Sequence, residues 1–146
     1  MEVEWLILAD AAQVVGNKLY LMGGGWDVLS VQSGFPVQQR CGIAAAVRVP
    51  WSETNTRHTL ELEVMNEDGK SLGRITGQFE VGRPAGIPLG QDQRVQVAAD
   101  LNLQLESAGG YAIMARIDGQ EARRTPFTVV AGPSVKPRGP QPGGPK

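Results

Sequence analysis

Residues 109–130 read GGYAIMARIDGQEARRTPFTVV, and this stretch decides the fold. Tyr111, Ile113, Ala115 and Ile117 alternate with Ala112, Met114, Arg116 and Asp118. A period of two puts one apolar row on one face of a strand. Asp118-Gly119 then supplies a turn that tolerates positive φ, and Phe127 and Val129 bring back an apolar face on the return strand. Pro126 has no backbone donor, so the return strand is expected to lie at an edge or to be bulged there. A hairpin with one greasy face needs a second sheet to cover it. The expected fold is all-β: a single immunoglobulin-like or jelly-roll-like antiparallel β-sandwich over residues 1–131.

The rest of the chain repeats the pattern. Val3, Trp5, Ile7 and Ala9 share one face of a first strand, Leu6 and Leu8 lie on the other, and Asp10 is expected to end it. Residues 13–17 read as a turn, with Gly16-Asn17 available for positive φ. Residues 18–22 form a second strand. The triplet Gly23-Gly24-Gly25 is expected to mark a bulge or a close backbone approach. A phosphate-binding loop would lead into a helix, whereas residues 26–31 continue as strand. Residues 33–39 read as a loop.

Ile43, Ala45, Val47 and Val49 alternate along the next strand, where the weak strand formers Ala44, Ala45 and Ala46 point to tight packing. Leu60, Leu62 and Val64 alternate with Thr59, Glu61 and Glu63, a half-buried strand with a wet face. Asp68-Gly69 is a second hairpin turn, and Ile75, Gly77, Phe79 and Val81 mark its return. Residues 82–93 form a long loop, a natural place for a contact surface. Val95 through Leu105 is the longest strict alternation, read as one strand or two joined near Ala99. Little helix is expected, since no long window has a helical period.

Composition narrows the function. The 146 residues are 41% hydrophobic and 20% charged, with a formal net charge of −1. No basic field would steer the chain onto nucleic acid. Cys41 is the only cysteine, so no internal disulfide forms. The apolar run at residues 5–9 is far too short to span a bilayer, and the acidic start does not read as a secretory leader. A cytoplasmic product, or a virion component released by lysis, is expected, with no membrane partner.

Candidate chemistry is thin. His58, the only histidine, is in phase with Leu60 and Leu62 and reads as a core-edge residue rather than a base. One histidine and one cysteine do not make a zinc site. Asn66, Glu67 and Asp68 lack a calcium-loop spacing and are explained as a turn. Glu61 and Glu63 share a strand face, as solvated β faces commonly do. No catalytic residue, metal or cofactor is expected. Candidate partner contacts are Trp26, Trp51, Arg83, Pro84 and Ile87. Tryptophan anchors interfaces, though each Trp reads first as a cap on an open end of the sandwich.

Residues 132–146 differ in kind: a basic, proline- and glycine-rich tail that cannot bury enough surface to fold alone. It is expected to be disordered or extended. Pro137, Arg138 and Pro140 in it are candidates for an arm that contacts a protein partner or a second copy.

Leu8-Ala9-Asp10, Val14, Gly16-Asn17-Lys18-Leu19 and Gly23-Gly24-Gly25-Trp26 resemble the opening of an uncharacterised family of small bacterial proteins, common in actinobacteria. Gly110-Tyr111, Asp118-Gly119 and Pro126-Phe127-Thr128-Val129 are similar to that family's closing hairpin. The resemblance covers residues 2–130; it implies a compact β-sandwich and brings no activity. The expectation is therefore a non-enzymatic interaction or structural module, such as a subunit decorating a phage capsid or tail. A small-ligand or carbohydrate-binding sandwich stacking on Trp26 or Trp51 is the alternative. An enzyme built on His58 is a second alternative.

Overall fold

The computed structural model describes residues 1–132, and it answers each of these alternations with a strand. In chain order these are β1 (Glu2–Val15), β2 (Lys18–Gly24), β3 (Val28–Val31), β4 (Val37–Val49), β5 (Arg57–Asn66), β6 (Ser71–Glu80), β7 (Gln93–Leu105), β8 (Gly109–Ile117) and β9 (Gln120–Ala131). A single 3₁₀ turn, Trp51–Glu53, sits between β4 and β5. The strands form two sheets, ordered β2-β1-β4-β7 and β3-β9-β8-β5-β6.

That order discriminates between the two expected architectures. With β4, β5 and β6 taken as strands B, C and C′, the sheets read A-B-E and G-F-C-C′, the immunoglobulin-like arrangement. A second mark of that fold is present. Tyr111, at the start of β8, donates its hydroxyl to the Ser107 carbonyl at 2.7 Å, which is the tyrosine corner. Two residues on, where antibody domains carry the second cysteine of their inter-sheet disulfide, stands Ile113, fully buried. An apolar core of Leu8, Ile43, Val64, Leu103 and Ile113 therefore holds the sheets together without that crosslink. Cys41 belongs to this core, and burial, with a smaller push from Asp100, raises its thiol to about 11.

Several expectations are corrected. One pairing is parallel: β3 runs alongside β9, with Val28 opposite Thr128 and Val31 opposite Ala131. A bulge between Val3 and Trp5 switches the inward face of β1 from odd to even residues. Val3, Leu6 and Leu8 therefore enter the core, while Trp5 and Ile7 face outward. β1 does not stop at Asp10; it continues to Val15 and turns back through Gly16 and Asn17 at φ 56 and 62. β4 begins at Val37, inside the expected loop. β7 is one unbroken strand. The register between β1 and β2 runs through Gly24 without a bulge. Gly23 instead takes φ 58, the left-handed region that glycine enters without steric cost.

The alanines explain how the β1–β2 hairpin is seated. After Ala9 the hairpin leaves β4 and lies back across the outer face of its sheet. A Cβ on Gly42 would be 2.8 Å from the Ala12 nitrogen, so only glycine lets the backbones pass. Ala44 and Ala46 are fully buried beneath it, and Gln96 on β7 donates to the Asn17 carbonyl at its tip at 2.9 Å. Pro126 sits where expected. It lies beyond the end of β3, so its side of β9 is a local edge. There Thr125 donates to the Leu6 carbonyl at 3.0 Å and Arg123 to the Val3 carbonyl at 3.3 Å, which closes that flank of the sandwich against β1.

Candidate functional site

Three connections meet at one end of the sandwich: the β4–β5 loop, the β6–β7 loop and the β8–β9 turn. In immunoglobulin-like sandwiches, loops gathered at one end are where recognition is built.

The β4–β5 loop is made rigid from within. Pro50 leads into the 3₁₀ turn, and the Thr54 hydroxyl donates to the Trp51 carbonyl at 2.7 Å. Asn55, at φ 57, donates its backbone N–H to the Val81 carbonyl at 2.7 Å, tying the loop to the end of β6. Arg83 then clamps it from the neighbouring loop. Its Nε donates to Thr54 Oγ1 at 2.7 Å and its Nη2 to the Trp51 carbonyl at 3.0 Å. Its guanidinium carbon lies 4.1 Å from the Trp51 ring centroid, a cation–π stack.

Beside this clamp the buried His58 ring meets the half-exposed carboxylate of Asp118. His58 Nδ1 is 2.8 Å from Asp118 Oδ2, and Nε2 is 2.9 Å from the Glu53 carbonyl. Both partners only accept, so the two contacts are satisfied together when the ring carries a hydrogen on each nitrogen, the imidazolium form. Burial alone would lower the pKa of His58, but the Glu53 carbonyl and the Asp118 carboxylate outweigh it and raise it. Asp118 is held at φ 51 in the β8–β9 turn, and its Oδ1 accepts from the Thr59 N–H at 2.9 Å. That bond, and then His58, keep its pKa below the ordinary carboxylate range. Phe79 packs against the imidazole with ring centroids 5.5 Å apart.

The β6–β7 loop leaves from this clamp in two successive turns, closed by Ile87 N to the Pro84 carbonyl and Gln91 N to the Pro88 carbonyl. Its tip, Leu89, is 87% exposed. Between the loop base, β7 and the hairpin tip runs an open groove of about 650 Å³, lined by Glu80, Arg83, Pro84, Gln93, Arg94 and Asn17.

The structure thus brings Trp51 and Arg83 into contact and sets Pro84 and Ile87 beside them. Trp26 lies at the opposite end. It meets Phe127 edge-on at 6.1 Å, Phe127 stacks on Tyr111 at 5.5 Å, and the Trp26 Nε1 is buried with no hydrogen-bond partner among the described residues. Pro137, Arg138 and Pro140 lie outside the described residues. Sequence reading placed His58 at the core edge but missed Asp118 as its partner and Thr54 as the partner of Arg83. Asp118-Gly119 reads fully as a turn, and nothing local says which distant ring the aspartate will face.

The paired carboxylates Glu61 and Glu63 are saturated. Arg74 and Arg116 each bridge Glu61 and Glu63, at 2.9–3.1 Å. Hydrogen bonds from Ser71, Arg74 and Arg116 bring buried Glu63 down to about 2. Asn66 Oδ1 is taken by the N–H groups of Asp68 and Lys70, as in a satisfied turn. Among the described residues no helix is long and apolar enough to cross a membrane.

No curated protein matches the chain. Among solved structures it is similar to the Pseudomonas fluorescens alkylpurine DNA glycosylase AlkC bound to DNA containing an abasic site analog, with 9% identity and a TM-score of 0.40. That match covers 72% of this chain and 28% of the glycosylase, and a likeness of that size carries no argument about function. Residues 4–130, nearly the whole described sandwich, match a family of unknown function, DUF6941, and the chain belongs to that family.

Proposed function

We propose that this chain is a non-enzymatic interaction and structural module whose contact surface is the loop end bearing Trp51, Arg83, Pro84 and Ile87. The observation that carries the reading is the Arg83 clamp, which holds an aromatic ring and a guanidinium in one fixed arrangement on an end surface. Pre-set Trp and Arg side chains lose little entropy on binding, and both are enriched among residues that dominate interface energies. His58, the histidine on which an enzyme reading would rest, has both ring nitrogens engaged inside the fold, one by Asp118 and the other by the Glu53 carbonyl. A subunit seated on a larger symmetric assembly, such as a phage capsid or tail, fits this reading.

A photo-crosslinking amino acid placed at Pro84 tests it in cells that carry the chain, with Ser71, at the opposite end of β6, as the reference position. A discrete protein adduct at residue 84, weakened by Arg83→Ala and absent at residue 71, supports the reading. Equal labelling at both positions overturns it. Light scattering of the full chain and of a version ending at Ala131 asks whether the tail joins subunits. A mass that falls on shortening supports an arm; equal masses remove it.

A further inference from the structure

Four strands end the two sheets, and three of them are blunted. β3 is four residues long; β2 carries Lys18, Gly23 and Gly24; β6 contains Gly73 and Gly77 and faces a register shift at Val64–Met65. These are the devices by which proteins keep sheet edges from pairing with other chains. β7 has none of them. It is 13 residues long, contains no glycine, proline or lysine, and pairs with β4 in unbroken register from Val37 opposite Leu105 to Val49 opposite Gln93. No strand takes the place of strand D beside it among the described residues.

The flank next to β7 is also the open one. Val95, Val97 and Leu101 point toward the core yet are only partly buried. An apolar crevice of about 110 Å³ opens between β7 and β6, lined by Leu62, Ile75, Phe79, Val97 and Ala99. The opposite flank is closed by Thr125 and Arg123 on the carbonyls of β1.

We propose that β7 is the interface with a second copy of this chain, paired antiparallel about a two-fold axis at Val97. The two four-stranded sheets then become one of eight, and the interface is isologous. Charge selects the register. With Val97 on the axis, Arg94 stands opposite the partner subunit's Asp100 and Asp100 opposite the partner's Arg94. Val95 meets the partner's Ala99 on the inner face. With Ala99 on the axis, Arg94 would instead face a glutamine and Asp100 an alanine. The chosen register also extends what each copy already holds. Arg40 pairs with Asp100 at 2.9 Å, and Arg94 with Glu4 at 2.6 Å, Glu4 in turn with Arg48 at 3.0 Å. Joined, these make one row of alternating charge across the sheet, and opposite charges directly across a strand pair stabilise it. This dimer gives self-association a surface and does not rest on the loop-end reading.

The test is the solution mass of the full chain at rising concentration, by light scattering, with Arg94→Asp and Asp100→Arg. The expected result is a dimer for the parent chain. Each reversal sets like charges opposite one another twice and should weaken the dimer at least tenfold. An equimolar mixture of the two variants should restore it, because every pair across the axis is again opposite in sign. A parent chain that stays monomeric, a dimer unaffected by both reversals, or a mixture that stays monomeric overturns the proposal. Should either variant fail to fold by circular dichroism, hydrogen exchange of the parent chain decides. Slower exchange of β7 amides as concentration rises supports the interface, and unchanged exchange overturns it. Residue 84 crosslinking reads the loop end independently, so either idea can fail alone.

Discussion

Asp118 and His58 stand 60 residues apart in sequence and 2.8 Å apart in the fold, and their bond joins the β8–β9 turn to the start of β5. Since the Glu53 carbonyl accepts from the other ring nitrogen, the pair is at its most favourable with the ring charged. The folded-state pKa of His58 is raised above its ordinary 6.5. The folded state thus binds the proton more tightly than the unfolded chain does. The stability it contributes is fully present below pH 6.5 and is lost as pH rises through the folded value. Urea denaturation at pH 5.5, 7 and 8.5 should show that decline, and Asp118→Asn should flatten it. A decline of equal slope in the variant would sink the assignment.

The acid side has the opposite sign. Glu63 titrates at about 2 in the folded chain against an ordinary 4.5. Its contribution is present above pH 4.5 and disappears as pH falls toward 2. Glu63→Gln is expected to lower stability at pH 7, because Arg74 and Arg116 lose a charged acceptor, and to reduce the loss of stability between pH 4.5 and 2. The midpoint of urea unfolding, followed across that range, is the measurement.

Gly42→Ala places a methyl against backbone, 2.8 Å from the Ala12 nitrogen, where no side chain can swing aside. The expected cost is about 1–3 kcal/mol, as for other overpacked sites. Exchange protection should fall first over residues 10–22. Protection that falls evenly across both sheets would argue against the hairpin as the yielding element.

Tyr111→Phe removes the donor to the Ser107 carbonyl but keeps the stack on Phe127. A loss of roughly 0.5–1.5 kcal/mol in chemical denaturation is expected, the usual net worth of such a bond. No change would mean that water serves the Ser107 carbonyl equally well.

Much of this fold was legible in the chain because burial on one face imposes a period of two. Leu60, Leu62 and Val64, and Tyr111 through Ile117, all face the core as their alternation says. What the pattern could not show were effects that act between strands. The bulge between Val3 and Trp5 exchanges the faces of β1 without altering composition. The second half of β1, with Asp10 and Gln13, lacks an apolar row because it pairs with β2 alone and lies over alanines. The parallel partnership of β3 and β9 leaves no local trace. At the loop end, Trp51 and Arg83 were legible one at a time from residue type and loop position. Their stack depends on a loop-to-loop distance that no spacing along the chain encodes.

That parallel partnership has a mechanical consequence. Near its C-terminal end β9 is hydrogen-bonded to β3 on one side and to β8 on the other. A pull exerted along the chain from beyond Ala131 loads both ladders in shear, so their bonds must fail together rather than unzip in turn. A load applied to the chain at Ala131 would thus meet both ladders at once, at the pole of the sandwich farthest from Trp51 and Arg83.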